Sequence, residues 1–275
     1  EVVLIAGNHD HIRKDSYYRT FSWSENVHPL FGNRPQYLVL EHLDTAVYGF
    51  SYEAKEILEP RYDGLCAQKK AGIEILLAHG GDEKHIPING NALKRSGFDY
   101  VALGHIHKPQ IVVKGMAAYA GALEPTDKND TGKHGFIRGE IRGGETRISF
   151  VPFAKREYLH LALNVDKMMT ARSVMDRILE MIKERGAENL YKFTLKGFRD
   201  PELIFEREWD EVSGNILEIV DETVPAYDFR KIREENRSNL IGRYIESFED
   251  CVPESIEWQA LCEGVQALME SRGGM

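Results

Sequence analysis

The chain has 275 residues, of which 42% are hydrophobic and 29% charged. That is enough apolar content for a real core and more length than one ordinary domain needs, so a large domain with a smaller companion is expected. A net charge of −9 excludes a protein that coats nucleic acid by charge alone; such contact would have to come from local basic patches, a bound metal or a partner subunit.

Residues 2–6 are a short apolar run that stops at Gly7, the pattern of a buried strand that delivers Asn8 and His9 to a loop. Residues 37–40 and 46–50 are two further strand candidates. Residues 73–78 read as a second buried strand and run into His79-Gly80-Gly81, and residues 89–96 fit a short helix stopped by Gly97. Residues 100–103 read as a third buried strand, followed by Gly104-His105-Ile106-His107. Three strands thus each finish in a glycine-flanked histidine, and ligands of open α/β sheets gather beyond the carboxyl ends of strands. More β-rich sequence follows at 110–113, 135–141 and 146–153, with the turn Arg142-Gly143-Gly144 between the last two. The polar segment 128–134 reads first as an ordinary hairpin loop and second as a mobile loop near substrate.

The texture changes after Pro152. Residues 158–165 alternate like a strand. Residues 173–185 carry Val174, Ile178, Leu179 and Ile182 at helical spacing before Gly186, and residues 190–195 are again strand-like. From residue 228 charged helical sequence dominates, with Pro253 dividing two candidate helices and Ile256, Leu261, Val265 and Leu268 mostly on one side of the last. No apolar run approaches the length of a membrane span and no charged-then-apolar leader is seen. The three cysteines, Cys66, Cys251 and Cys262, are too few and too scattered for a zinc motif. The expectation is a cytoplasmic protein with reduced thiols and no membrane partner.

Asn8, His79, His105 and His107 are candidate metal ligands. Neutral imidazole nitrogen and amide oxygen suit zinc, manganese or iron. His105 and His107 point the same way if their stretch is extended and can straddle two ions if it is a loop. His9 directly follows a candidate ligand. It is placed to protonate a leaving oxygen or to stabilise phosphoryl charge in a metal-assisted hydrolysis, with Asp10 to fix its tautomer and orientation. Lys108 can meet a phosphate or simply be solvated.

The segments Gly7-Asn8-His9-Asp10, His79-Gly80-Gly81 and Gly104-His105-Ile106-His107 occur in the order found in calcineurin-like metallophosphoesterases, which the chain resembles. Within that superfamily it looks most like SbcD-type DNA repair exonuclease subunits. That narrower likeness rests on residues 104–109, on Tyr119-Ala120-Gly121-Ala122-Leu123, on Lys133-His134-Gly135-Phe136 and on the second domain that follows. The resemblance covers most of residues 1 to about 245. It implies an α/β metallophosphoesterase sandwich, two mixed β-sheets flanked by helices and N-terminally incomplete, over residues 1–154. A small α/β capping domain over 155–227 and a helical segment over 228–275 would follow. It implies two divalent ions, manganese first and iron, zinc or magnesium as alternatives. Asn8, His79 and His105 would serve one ion, His107 the other, and His9 would be the catalytic histidine. The implied partners are DNA and an SbcC-like ATPase subunit.

The family's Asp-x-His and Gly-Asp-x-x-Asp motifs, which supply the anionic ligands, do not occur in this chain. An all-neutral set of one Asn and three His leaves a site excessively positive once ions enter. The chain as given is therefore expected to bind metal weakly and to hydrolyse phosphodiesters poorly. Three explanations present themselves: residues upstream of Glu1 carry the two motifs, which is the favoured one; a second polypeptide supplies them; or the exposed edge of the strand at 2–6 pairs in a homodimer. The competing functions are a small-molecule phosphodiesterase or phosphatase on the same scaffold, and a catalytically dead scaffolding module.

Overall fold

The computed structural model describes residues 1–203, 205, 214–252 and 255–273; Pro253 lies outside them. The chain is mixed α/β, with sheets flanked by helices, and divides into two compact units, Glu1–Tyr158 and Leu159–Met275.

The first unit is built on a six-stranded mixed sheet. Its strands are β3 (Gln36–Leu40), β4 (Thr45–Gly49), β5 (Ile73–His79), β6 (Tyr100–Gly104), β7 (Gln110–Val113) and β8 (Ala117–Tyr119), in the spatial order β3-β4-β5-β6-β8-β7. β4, β5, β6 and β8 run parallel, and β3 and β7 close the two edges antiparallel. Every residue of β4 is buried, as a strand covered on both faces requires. β5 alternates, burying Glu74, Leu76 and Ala78. The core gathers Tyr48, Phe50, Tyr62, Leu76, Leu93 and Val101, Leu93 coming from the short helix α1 (Gly90–Arg95), which Asn89 caps. Buried Glu74 is satisfied rather than solvated: it accepts the Tyr48 hydroxyl and the backbone N–H groups of Lys69, Lys70 and Ala71.

The apolar run 2–6 gives a shorter strand than expected, β1 (Val2–Leu4), paired in parallel with β2 (Val27–Pro29) in a separate two-stranded sheet. A side-chain staple ties its continuation to the main sheet. The Ser51 hydroxyl donates to the Leu30 carbonyl and accepts the Ala6 N–H, both at 2.8–2.9 Å, and the Tyr52 N–H donates to the Ala6 carbonyl. Gly7 to Asp10 are thereby brought past the carboxyl end of β4. The hairpin of β9 (Gly135–Arg142) and β10 (Glu145–Pro152) matches expectation. The segment 128–134 does not turn a hairpin. β8 and β9 belong to different sheets, because β8 fills the slot beside β6 and cannot also pair with β9.

In the second unit β11 (Tyr158–Val165), β12 (Leu190–Arg199), β13 (Ile216–Asp221) and β14 (Val224–Pro225) form a sheet. The helix α2 (Ala171–Arg185) packs Val174, Ile178 and Ile182 against Leu163, Tyr191, Phe193 and Leu195. It starts two residues before the expected 173 because Thr170 and Ser173 form a capping box. Three helices, α3 (Phe229–Glu235), α4 (Leu240–Glu246) and α5 (Ile256–Gly273), share a core of Ile241, Ile245, Leu261 and Val265. Ile256, expected on the packed side of the last helix, is 82% exposed, since it opens the helix a turn before the packed stretch begins. Among the described residues no helix is long and apolar enough to cross a membrane.

Candidate metal centre

β5 and β6 lie side by side with His79 in register with Gly104, so His79 and His105 emerge together at the carboxyl edge of the sheet. The third participant arrives from the loop after β1. Asn8 is 2% exposed, and its Oδ1 lies 2.9 Å from His79 Nε2 and 3.3 Å from His105 Nδ1. The rings of His79 and His105 meet edge to face at 5.3 Å.

This close approach depends on glycine. A Cβ at Gly7 would overlap the His79 imidazole. Gly80 has φ of +145°, and a Cβ there would collide with the carbonyls of His85 and Ile86; glycine alone takes that conformation without cost. The His79 peptide is locked from beneath. The Tyr52 and Tyr62 hydroxyls reach its carbonyl, and its N–H donates to the Tyr62 oxygen at 2.9 Å. Burial, and then the neighbouring His105, push the His79 imidazole down to about 4, while Asp10 opposes this. His79 is therefore neutral at physiological pH and free to offer a lone pair, the state a ligand needs.

His105 has φ of +99°, in the left-handed region where a β-carbon is strained at a cost of about 1–3 kcal/mol. Its ring is held on the far side by Asp82, whose Oδ2 lies 2.7 Å from Nε2. Asp82 also receives His85 Nδ1 at 2.8 Å, and the rings of His85 and His105 are 4.6 Å apart. Partial burial would raise the Asp82 carboxyl, but the bonds from His105, His85 and the Lys84 N–H outweigh it and hold it well below the usual carboxylate range. Asp82, His85 and His105 present three donor atoms within 4.8 Å of one another. Asp82 and His85 were not singled out in the sequence; their signal was an acid and a histidine three apart just after the His-Gly-Gly turn.

The remaining candidates sit differently. His107 is half exposed, and its Nδ1 lies 3.0 Å from both Asp130 Oδ2 and Thr126 Oγ1. His9 is exposed and lines a cleft of about 450 Å³ with Asp10, Arg13 and Tyr17. Asp10 engages the backbone of its own loop, accepting the Gly7 N–H at 2.7 Å and the Tyr18 hydroxyl at 2.7 Å. Lys108 is exposed. The structure thus brings Asn8, His79 and His105 into contact, adds Asp82 and His85 beside His105, and anchors His107 to the 126–130 segment.

The donor set fits a divalent cation. A buried amide oxygen lies within 3.3 Å of a ring nitrogen of each of two imidazoles, one of them neutral and the other held at its opposite nitrogen by a carboxylate. Residues 1–109 match the calcineurin-like phosphoesterase family. The chain is also 27% identical over 219 residues to the uncharacterized metallophosphoesterase YhaO of Bacillus subtilis, an alignment covering 74% of this chain and 53% of YhaO. The chain therefore spans about half the length of that relative. Over residues 1–109 the chain is thus similar to calcineurin-like phosphoesterases.

Proposed function

We propose that this chain forms the larger part of a metal-dependent phosphodiesterase that processes DNA ends as the nuclease subunit of an SbcCD-like complex. The observation that carries the hydrolytic reading is the approach of His79 Nε2 and His105 Nδ1 to Asn8 Oδ1, with the next residue after Asn8, His9, lining an open cleft.

Asn8, His79 and His105 would hold one divalent ion and His107 would serve a second; manganese is taken first because the resemblance to SbcD-type subunits implies it, the donors themselves suiting zinc, manganese or iron. When bound, such ions polarise phosphoryl oxygens and activate water for attack. His9 stands at the solvent side of the centre, where a ring nitrogen can pass its proton to the departing oxygen. Asp10, committed to the Gly7 N–H and the Tyr18 hydroxyl, keeps the His9 loop in place. Lys108 is a candidate contact for a substrate phosphate. Tested by itself the 275-residue chain is expected to be weakly active, because it lacks the Asp-x-His and Gly-Asp-x-x-Asp carboxylates. That shortage is also what favours the second reading, a scaffolding module without turnover.

The test is hydrolysis of bis(4-nitrophenyl) phosphate and of linear duplex DNA with manganese. Slow cleavage of both, abolished in His9→Ala while manganese binding persists, is expected. Cleavage of the small diester alone would replace the nuclease with a small-molecule phosphodiesterase. Binding without any turnover fits the scaffold, and robust manganese-dependent nuclease activity would refute the expectation of a crippled centre. Docking of an SbcC-like ATPase is proposed for the helical segment 228–275, where Leu240 is exposed; co-purification unaffected by its truncation would count against this. A homodimer through the free edge of β1 would show as a doubled mass in light scattering.

A further inference from the structure

We infer that residues 11–21, the loop that leaves the Gly7-to-Asp10 segment, are a platform for unpaired nucleotides: the Tyr17 and Phe21 rings stack on bases of a single-stranded DNA end while Arg13, Lys14 and Arg19 meet its phosphates. The choice of DNA as occupant rests on the nuclease reading above. Both rings stand in water, Tyr17 being 80% and Phe21 51% exposed. Scattered exposed apolar residues are ordinary; these two differ in place and in charge. Tyr17 lines the same cleft as His9 and Asp10, whose volume of about 450 Å³ lies in the range of small-ligand sites. Over residues 11–21 three cations, Arg13, Lys14 and Arg19, stand against the one carboxylate of Asp15, a local charge of +2 (three minus one) in a chain of −9. Arg13 Nε lies 3.6 Å from Asp15 Oδ1 on exposed surface, a contact weak enough for a phosphate to displace. Aromatic faces interleaved with cations bind single strands, because every unpaired base offers a π-face and every nucleotide a phosphate. A duplex buries those faces in its own stack.

The platform is held in shape without a ligand. The Tyr17 carbonyl accepts the backbone N–H groups of Thr20 at 3.1 Å and Phe21 at 3.0 Å, and the Thr20 hydroxyl at 3.2 Å, which sets Phe21 one turn beyond Tyr17. The Arg19 Nε–H donates to the Arg13 carbonyl at 3.0 Å. Tyr18, between the cations and the exposed rings, turns inward. Its ring stacks on Phe31 at 5.3 Å, and its carbonyl accepts the Trp23 Nε1–H at 3.3 Å. Trp23 in turn backs Phe21, edge to face at 4.8 Å. The Tyr18 hydroxyl donates to Asp10 at 2.7 Å, so the inner ring bolts the loop to the residue next to His9. A surface ordered in advance loses less of its stacking energy on binding, and its attachment places a bound base close to the cleft that His9 lines.

The deciding experiment is fluorescence anisotropy of the metal-free 275-residue chain at low salt with two labelled strands of equal length, oligothymidylate and an abasic oligomer that carries the same phosphates without bases. Oligothymidylate is expected to bind about 5- to 100-fold more tightly than the abasic strand. Tyr17→Ala should remove most of that difference, and Tyr17→Trp, which keeps an aromatic face, should preserve it. Lys14→Gln should weaken both strands alike, since a phosphate contact ignores the base. Equal affinity of the unmutated chain for the two strands, or no binding of oligothymidylate, overturns the platform, and neither result depends on a variant folding. An unaltered oligothymidylate affinity in Tyr17→Ala overturns it as well. Failure of the nuclease reading looks different: Tyr17-dependent binding of oligothymidylate with DNA left uncut in manganese upholds the platform and removes the nuclease.

Discussion

His105 and His107 are separated by one residue and live in different surroundings. His105 leaves the end of a central strand with a strained backbone, a side chain 13% exposed and contacts to Asn8 and Asp82. His107 stands 50% exposed, held by Asp130 and Thr126. The same division runs through the rest of the centre: Asn8 and His79 are enclosed by tyrosines and glycines, whereas His9, Asp10 and Lys108 face solvent. The lesson is that the sheet supplies a rigid inner half, while loops supply a solvent-facing half that must be braced by its own side chains.

The comparison breaks most sharply on metal binding against turnover. Asn8→Leu and His79→Leu should remove the manganese response measured by calorimetry. His9→Ala should leave it intact and slow hydrolysis by roughly 10²- to 10⁴-fold; equal loss of binding in all three would erase the distinction between inner and outer halves.

Acid should expose the inner half next. His79 titrates near 6.5 when unfolded and about 4 when folded, so between those values the unfolded chain holds more protons. The metal-free chain is then fully stabilised above pH 6.5, loses up to ~3 kcal/mol from this group as pH falls to 4, and changes no further below. Urea midpoints followed across that window should flatten in His79→Gln; an unaltered slope would show that His79 is not enclosed as described.

Gly7→Val, which forces a side chain into the His79 ring, should cost about 1–3 kcal/mol in chemical denaturation. Gly64→Ala, which meets open space, should stay within about 0.5 kcal/mol of the parent. Smallest of all, Tyr18→Phe removes one exposed hydroxyl from Asp10 and should cost less than ~1 kcal/mol, with a measurable effect on turnover only if the brace under His9 matters.

Local signals carried much of the fold and part of the centre. An apolar run ending in glycine and then a polar residue marks a strand and the loop after it, and that pattern is visible in any window of ten residues. Hence β5, β6, the β9–β10 hairpin and α2 were legible, as was the candidacy of Asn8, His79 and His105. Asp82, His85 and Asp130 were not, because each sits in a polar turn whose linear surroundings resemble any loop. Their partners are up to 23 residues away. β1 likewise has the composition of a central strand, yet it pairs with β2 in its own small sheet, and β8 takes the place beside β6 that separates it from β9.

The residue types and their order determine what chemistry is available here: imidazole, amide and carboxylate groups delivered at strand ends by glycines that permit close approach. Which nitrogen of each imidazole faces the centre, which carboxylate grips the other, and which histidine is buried follow from long-range packing. The reason is physical: a hydrogen bond to a ring nitrogen requires a partner within about 3 Å, and only the folded sheet brings residues from distant turns that close.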